Sequence, residues 1–186
     1  MSNPAPGGLV ARAGAAWGFA GVVVLLIQAI VRLTPVAAAA IASLRDGVAW
    51  TVLVGWLVLN GYGEGYRGFH LRFSPRVVAR SRELARHPTW IRVLAAPAYC
   101  MSLFGASARG MLVSRCILMG VLALVVAMRF IPQPWRGIVD AGVVAGLGIG
   151  LLSLTYYGAR ALLGHPPPID ADAQPPDSVP TARRPR

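Results

Sequence analysis

The chain has 186 residues, 55% of them hydrophobic and only 13% charged, and its mean hydropathy is +0.57. One water-soluble core of this size cannot hide so much apolar surface, so lipid is the expected cover and an all-α, polytopic integral membrane protein the expected class. The net charge of +11 comes from 18 arginines against 7 acids, with no lysine; the arginines flank apolar spans, which makes anionic lipid headgroups the expected counter-charge and excludes nucleic acid as the expected partner.

Residues 1–11 hold Ser, Asn, Pro and Gly and are read as a disordered lead. The membrane domain is expected over residues 12–163, with about four crossings near 13–32, 47–62, 111–132 and 137–162. The first apolar run is too long, and its n-region too weakly basic, for a cleaved signal, so it is read as an uncleaved anchor. Trp17 would mark one interface and Arg32 close the other, with Gln28 the strongly polar residue between them. Thr34 and Pro35 have the pattern of an N-cap followed by a first helical proline, which predicts a new helix over the Ala-rich run that follows. Arg45 and Asp46 then precede the second crossing, either after a short interfacial helix, the preferred reading, or within one long tilted helix.

The second crossing is expected to end in the cluster Gly61, Gly63 and Gly65, where left-handed backbone turns the chain. Within it Gly63-Glu64-Gly65-Tyr66-Arg67-Gly68 matches G-x-G-x-x-G, but an apolar helix precedes it, whereas the dinucleotide fingerprint needs a strand in a βαβ unit. From residue 63 to 110 the chain is expected to be cytoplasmic and interfacial. Ser74 and Pro75 repeat the cap signal, and Pro88 stops the helix between them. Val77, Val78, Leu84 and Ala85 share one face, with Arg76, Arg80, Arg82 and Arg86 around the rest. This is the pattern of a basic amphipathic helix lying on headgroups, or else docked on the protein itself; the lipid surface is the preferred reading. The sixteen residues 93–108, broken by Pro97, are read as interfacial or re-entrant short helices in preference to a fifth crossing. Cys100 and Cys116 have no metal-site spacing and are read as apolar filler, so no metal or cofactor is expected.

In the third crossing Arg115 and Arg129 stand about one turn inside the ends, where long side chains snorkel. The short Pro132-Gln133-Pro134-Trp135 reversal predicts an antiparallel neighbour. The fourth crossing carries Gly142, Gly146 and Gly150 at spacing four, a seam for close helix packing, with the preceding crossing as the expected partner and a second copy as the alternative. Asp140 is expected to pair at this corner with Arg136 or Arg129. Residues 164–186 are rich in proline and are read as a disordered tail.

Four crossings with the N-terminus inside put 14 arginines inside and 4 outside, so both termini and the central segment are expected in the cytoplasm of a bacterial inner membrane. The candidate anion site is Arg67, Arg72, Arg76, Arg80, Arg82 and Arg86. A candidate polar cluster is Tyr62, Glu64, Tyr66, Arg67 and His70. No nucleophile, metal or Walker motif accompanies it. The leading functional reading is a structural or accessory membrane component that holds anionic lipid or a protein partner. A small transporter or channel subunit is the alternative. A lipid or isoprenoid enzyme at the cytoplasmic interface ranks third.

Overall fold

The computed structural model describes residues 8–169, all-helical with short connections. The expectations of disorder for residues 1–7 and for the tail from Asp170 onward lie outside the described residues. Helix α1 runs over Leu9–Ser43, α2 over Gly47–Asn60, a π-helical segment over Gly61–Phe73 and α3 over Ser74–Arg86. Two short helices follow, α4 (Trp90–Leu94) and α5 (Ala96–Cys100), then α6 (Ala108–Ala127) with a 3₁₀ turn to Phe130, and α7 (Trp135–Leu162). Three of these rods are long and apolar enough to cross a membrane: Leu9–Ser43, Ala108–Phe130 and Trp135–Leu162.

Three local signals give way to tertiary packing. Leu9 to Ala11 are already helical, and α1 passes through Thr34 and Pro35 without a break. Pro35 cannot donate to the Val31 carbonyl, while the Thr34 hydroxyl donates back to Ile30 O at 2.7 Å and does not cap anything. Ala37 and Ala40, buried against α7, hold the helix across that gap. Arg32 consequently lies inside a continuous helix.

Nor do the glycines end α2. Asn60 (φ −71°, ψ −40°), Gly61 (φ −58°, ψ −45°), Phe73 and Ser74 all keep right-handed helical backbone, so Gly47–Arg86 is one continuous helical run. Gly65 serves close approach instead of a turn: a Cβ there would stand 2.8 Å from the Cδ1 of Ile149 on α7. Ser74 therefore caps nothing, and its buried hydroxyl finds no hydrogen-bond partner among the described residues.

The third correction concerns α3. Its apolar face does not lie on a surface: Val77, Val78 and Leu84 pack with Val22 and Leu26 of α1, Ala96, Tyr99 and Cys100 of α5, and Leu154 of α7. α4 and α5 are five residues each and too short to cross. Both lie along the N-terminal half of α1, where Gly14 faces Val93, Gly18 faces Ala96 and Cys100, and Gly21 faces Pro97. Burial pushes the Cys100 thiol up to about 12, which keeps it neutral and inert as core filler.

α7 is the axis of the bundle. α1 packs antiparallel to it, with Gly137 beside Ala40 and Gly158 beside Phe19. The run from α2 into the π segment packs parallel to it, with Trp56 and Asn60 at Gly142, Glu64 at Gly146 and Phe69 at Gly150. The glycine seam is thus an intrachain contact, but with α2 and the π segment and not with α6. α6 stands off the bundle, its side chains from Leu112 to Val126 largely exposed, so the short reversal before α7 produces no packed hairpin. At that corner Arg136 and Asp140 approach to 3.9 Å.

Candidate functional site

The chemistry-bearing residues gather where the π segment passes α7. Tyr62, Tyr66 and His70 recur every fourth residue, and on a helical rod that spacing stacks side chains in one column. The Tyr62 and Tyr66 rings lie 6.1 Å apart and nearly parallel, and Tyr66 and His70 lie 5.5 Å apart at 14°. From α7, Tyr157 and Tyr156 close on His70 with centroids at 5.3 and 6.2 Å. His70 Nδ1 and Ser153 Oγ share a hydrogen bond of 3.0 Å, whose direction follows the imidazole tautomer. Below them Arg160 Nη1 donates to the Tyr156 hydroxyl at 3.4 Å, and its guanidinium lies 5.7 Å from that ring.

Between Tyr62 and Tyr66 on the same run, Glu64 lies against Gly146: a Cβ on that glycine would be 3.4 Å from Glu64 Cβ and 3.5 Å from its Oε2. Gly146 is near the middle of α7. The carboxylate therefore sits about halfway along the bundle axis and not at its end, as a turn at Gly61 would have required. Arg67 is exposed, three residues further on. The polar cluster thus divides, with Tyr62, Tyr66 and His70 forming a column and Glu64 and Arg67 flanking it.

The expected arginine set divides too. Arg67, Arg72 and Arg86 are exposed, Arg76 and Arg82 half-buried. Burial, with Arg80 and Arg72 alongside, lowers the pKa of Arg76 from its ordinary value. Arg82 donates to His165 O at 3.4 Å, tying α3 to the end of α7. Arg80 does not belong to any surface. It is 1% exposed, with Nε donating to Tyr99 O at 2.7 Å and Nη2 to Phe104 O at 3.0 Å and Gly105 O at 2.9 Å. Its guanidinium lies 4.1 Å from the centre of the Tyr99 ring. Gly105 takes φ +64°, which only glycine adopts without cost, and a Cβ there would meet the same ring at 3.0 Å. The expectation of Arg80 as a headgroup ligand is corrected: a planar fork that satisfies three carbonyls is what arginine provides and a headgroup contact does not need.

Ser153 is the member of the column that sequence reasoning did not bring to His70; it lies three residues after Gly150, on the buried face of α7 that the glycines mark. Among the described residues no group of His, Cys, Asp and Glu could hold a metal ion. Within the column the Ser153 hydroxyl stands against the His70 imidazole, with the rings of Tyr66, Tyr156 and Tyr157 around them, so the arrangement offers stacking faces and a hydrogen-bond relay. Comparison of the chain with family models, with curated proteins and with solved structures finds no match.

Proposed function

We propose that this is an integral membrane protein of a bacterial inner membrane with four crossings, both termini and the arginine-rich end in the cytoplasm, acting as a structural or accessory component that holds anionic headgroups. Exposed guanidinium groups crowding at one end of the bundle carry this reading. Arg12, Arg72, Arg86, Arg109 and Arg160 are exposed there, around the C-terminal end of α7, while Arg45 and Arg136 mark the opposite end. From Arg136 to Tyr156 α7 climbs about 30 Å, the thickness of a hydrocarbon core. Aromatic residues stand near both limits: Trp135 at one, Tyr156 and Tyr157 at the other. The fourth crossing would be α2 continued by the π segment, beside α7 over the same height. The apolar exposure of α6 supports the same reading, since lipid covers such a helix at no cost and water does not.

With Cys116→Ser as background, Arg45→Cys should react with an impermeant maleimide on intact cells, and His87→Cys only after lysis. The reverse pattern would overturn the orientation. Anionic phospholipid should co-purify in mild detergent, and Arg67→Gln, Arg82→Gln and Arg86→Gln together should lower its retention about tenfold. Undiminished retention would remove the headgroup role.

A second reading, a small transporter or channel, is favoured by one observation: Glu64 lies level with mid-α7 and flanks the Tyr62, Tyr66, His70 column. Ionisable groups at that depth mark ion and proton paths. In proteoliposomes this reading expects a proton or cation flux that Glu64→Gln abolishes. Identical leak with and without the protein would dismiss it.

A further inference from the structure

The packing of α1 on α7 sets the heights of two charges that have no partner among the described residues. Ala40 lies beside Gly137 and Phe19 beside Gly158, 21 residues apart on each helix, so the antiparallel register is continuous. Eight residues before Ala40, Arg32 is then level with residue 145, and Glu64 on the other side of α7 is level with Gly146. Both are exposed, and among the described residues neither makes a hydrogen bond or an ion pair. Gln28, one turn from Arg32 on the same open side of α1, is exposed as well. From that height either end of the crossing, at Trp135 or at Tyr156, is about 15 Å away, beyond the reach of an arginine or a glutamate that snorkels.

A charge at that depth is stable only when it faces protein or water and is paired. We infer that the partner is a second copy of this chain, docked side by side so that Arg32 of each copy meets Glu64 of its neighbour. The inference rests on the membrane reading proposed above. Copies related by an axis along the membrane normal keep every residue at its own depth, so a group on one copy meets only groups of equal height on the next. Arg32 and Glu64 have opposite charge, equal height and open faces, which satisfies that constraint without any movement of the helices. An unrelated partner would need no such match within this chain. Pairing removes both charges from hydrocarbon at once, and Gln28 adds a hydrogen-bonding group beside the pair.

Charge reversal tests the pairing. Two differently tagged chains are co-expressed and recovered from detergent-solubilised membranes, one with Arg32→Glu and the other with Glu64→Arg. Wild type should capture wild type. Neither variant should capture itself, because like charges then face each other, whereas the two variants together restore every opposite-charge contact. Mixed capture should exceed self-capture about tenfold or more. Equal self-capture and mixed capture, or a membrane-bound wild type that is monomeric, overturns the inference and leaves the membrane reading standing. Wild type recovered without detergent from the soluble fraction sinks that reading itself. Should a reversed chain fail to accumulate, Arg32→Cys and Glu64→Cys chains in the Cys116→Ser background replace it. A short bis-maleimide then links the two different chains if the contact exists and links none if it does not.

Discussion

Arg80→Ala is expected to destabilise the folded bundle by about 3–5 kcal/mol, the range for removing one side of a buried charge-assisted network. The guanidinium is 1% exposed and donates to the carbonyls of Tyr99, Phe104 and Gly105. Tyr99 lies at the end of α5, where its carbonyl also accepts from Ser102 N at 3.0 Å, whereas the Phe104 and Gly105 carbonyls, in the turn before α6, accept no backbone N–H among the described residues. Truncation removes the donor that Phe104 O and Gly105 O share and opens a cavity beside the Tyr99 ring. The turn would loosen, and with it the contact from Arg115 Nε to Leu103 O, 3.2 Å long, that holds the start of α6. Arg80→Lys keeps the charge but replaces a rigid fork by one rotatable ammonium, and should recover less than half of the loss. Denaturation in detergent micelles, followed by loss of helix, measures both variants. A loss under about 1 kcal/mol for Arg80→Ala, within the spread of ordinary surface substitutions, would show that Arg80 is no clamp.

The second large effect is expected at the crossing of α1 and α7. A Cβ on Gly137 would run into the Cβ of Ala40 and come within 2.8 Å of the Val36 carbonyl oxygen, which is backbone and cannot swing aside. Gly137→Ala must therefore push two long helices apart, at a cost of about 1–3 kcal/mol for overpacking, offset in part by the better helix propensity of alanine. Gly148→Ala is the matched control. It lies on the same helix with nothing within 4 Å of the added atom, so alanine there should be neutral or stabilising by up to about 1 kcal/mol. Equal effects at the two positions would show that the close approach of α1 to α7 is not maintained in the folded protein.

Both positions illustrate how a local preference yields to packing. Thr34-Pro35 and Gly61-Tyr62-Gly63 carry stop and start signals worth about 1–3 kcal/mol each. A helix end at either place would fall beside α7 and leave several carbonyls buried without donors, a larger cost than a lost proline bond or a loosened i→i+5 helix. The chain takes the cheaper course, and the π segment is the result. That choice moves Glu64 from the expected end of a crossing to the middle of α7 and lines up Tyr62, Tyr66 and His70 against Ser153. The depth of a carboxylate thus depended on whether a helix ended four residues earlier, which no local pattern around it records.

Residue types alone determined the helical class, the long apolar rods, and the small-residue face of α7, because each follows from composition or from a repeat along one helix. Which helix fills that face, which arginine is buried, and how high Arg32 and Glu64 stand were decided only when the rods packed. Those properties depend on register between segments distant in the chain. Register is set by side chains meeting across an interface, such as Ala40 on Gly137 or Phe69 on Gly150, and a single strand of sequence carries no measure of it.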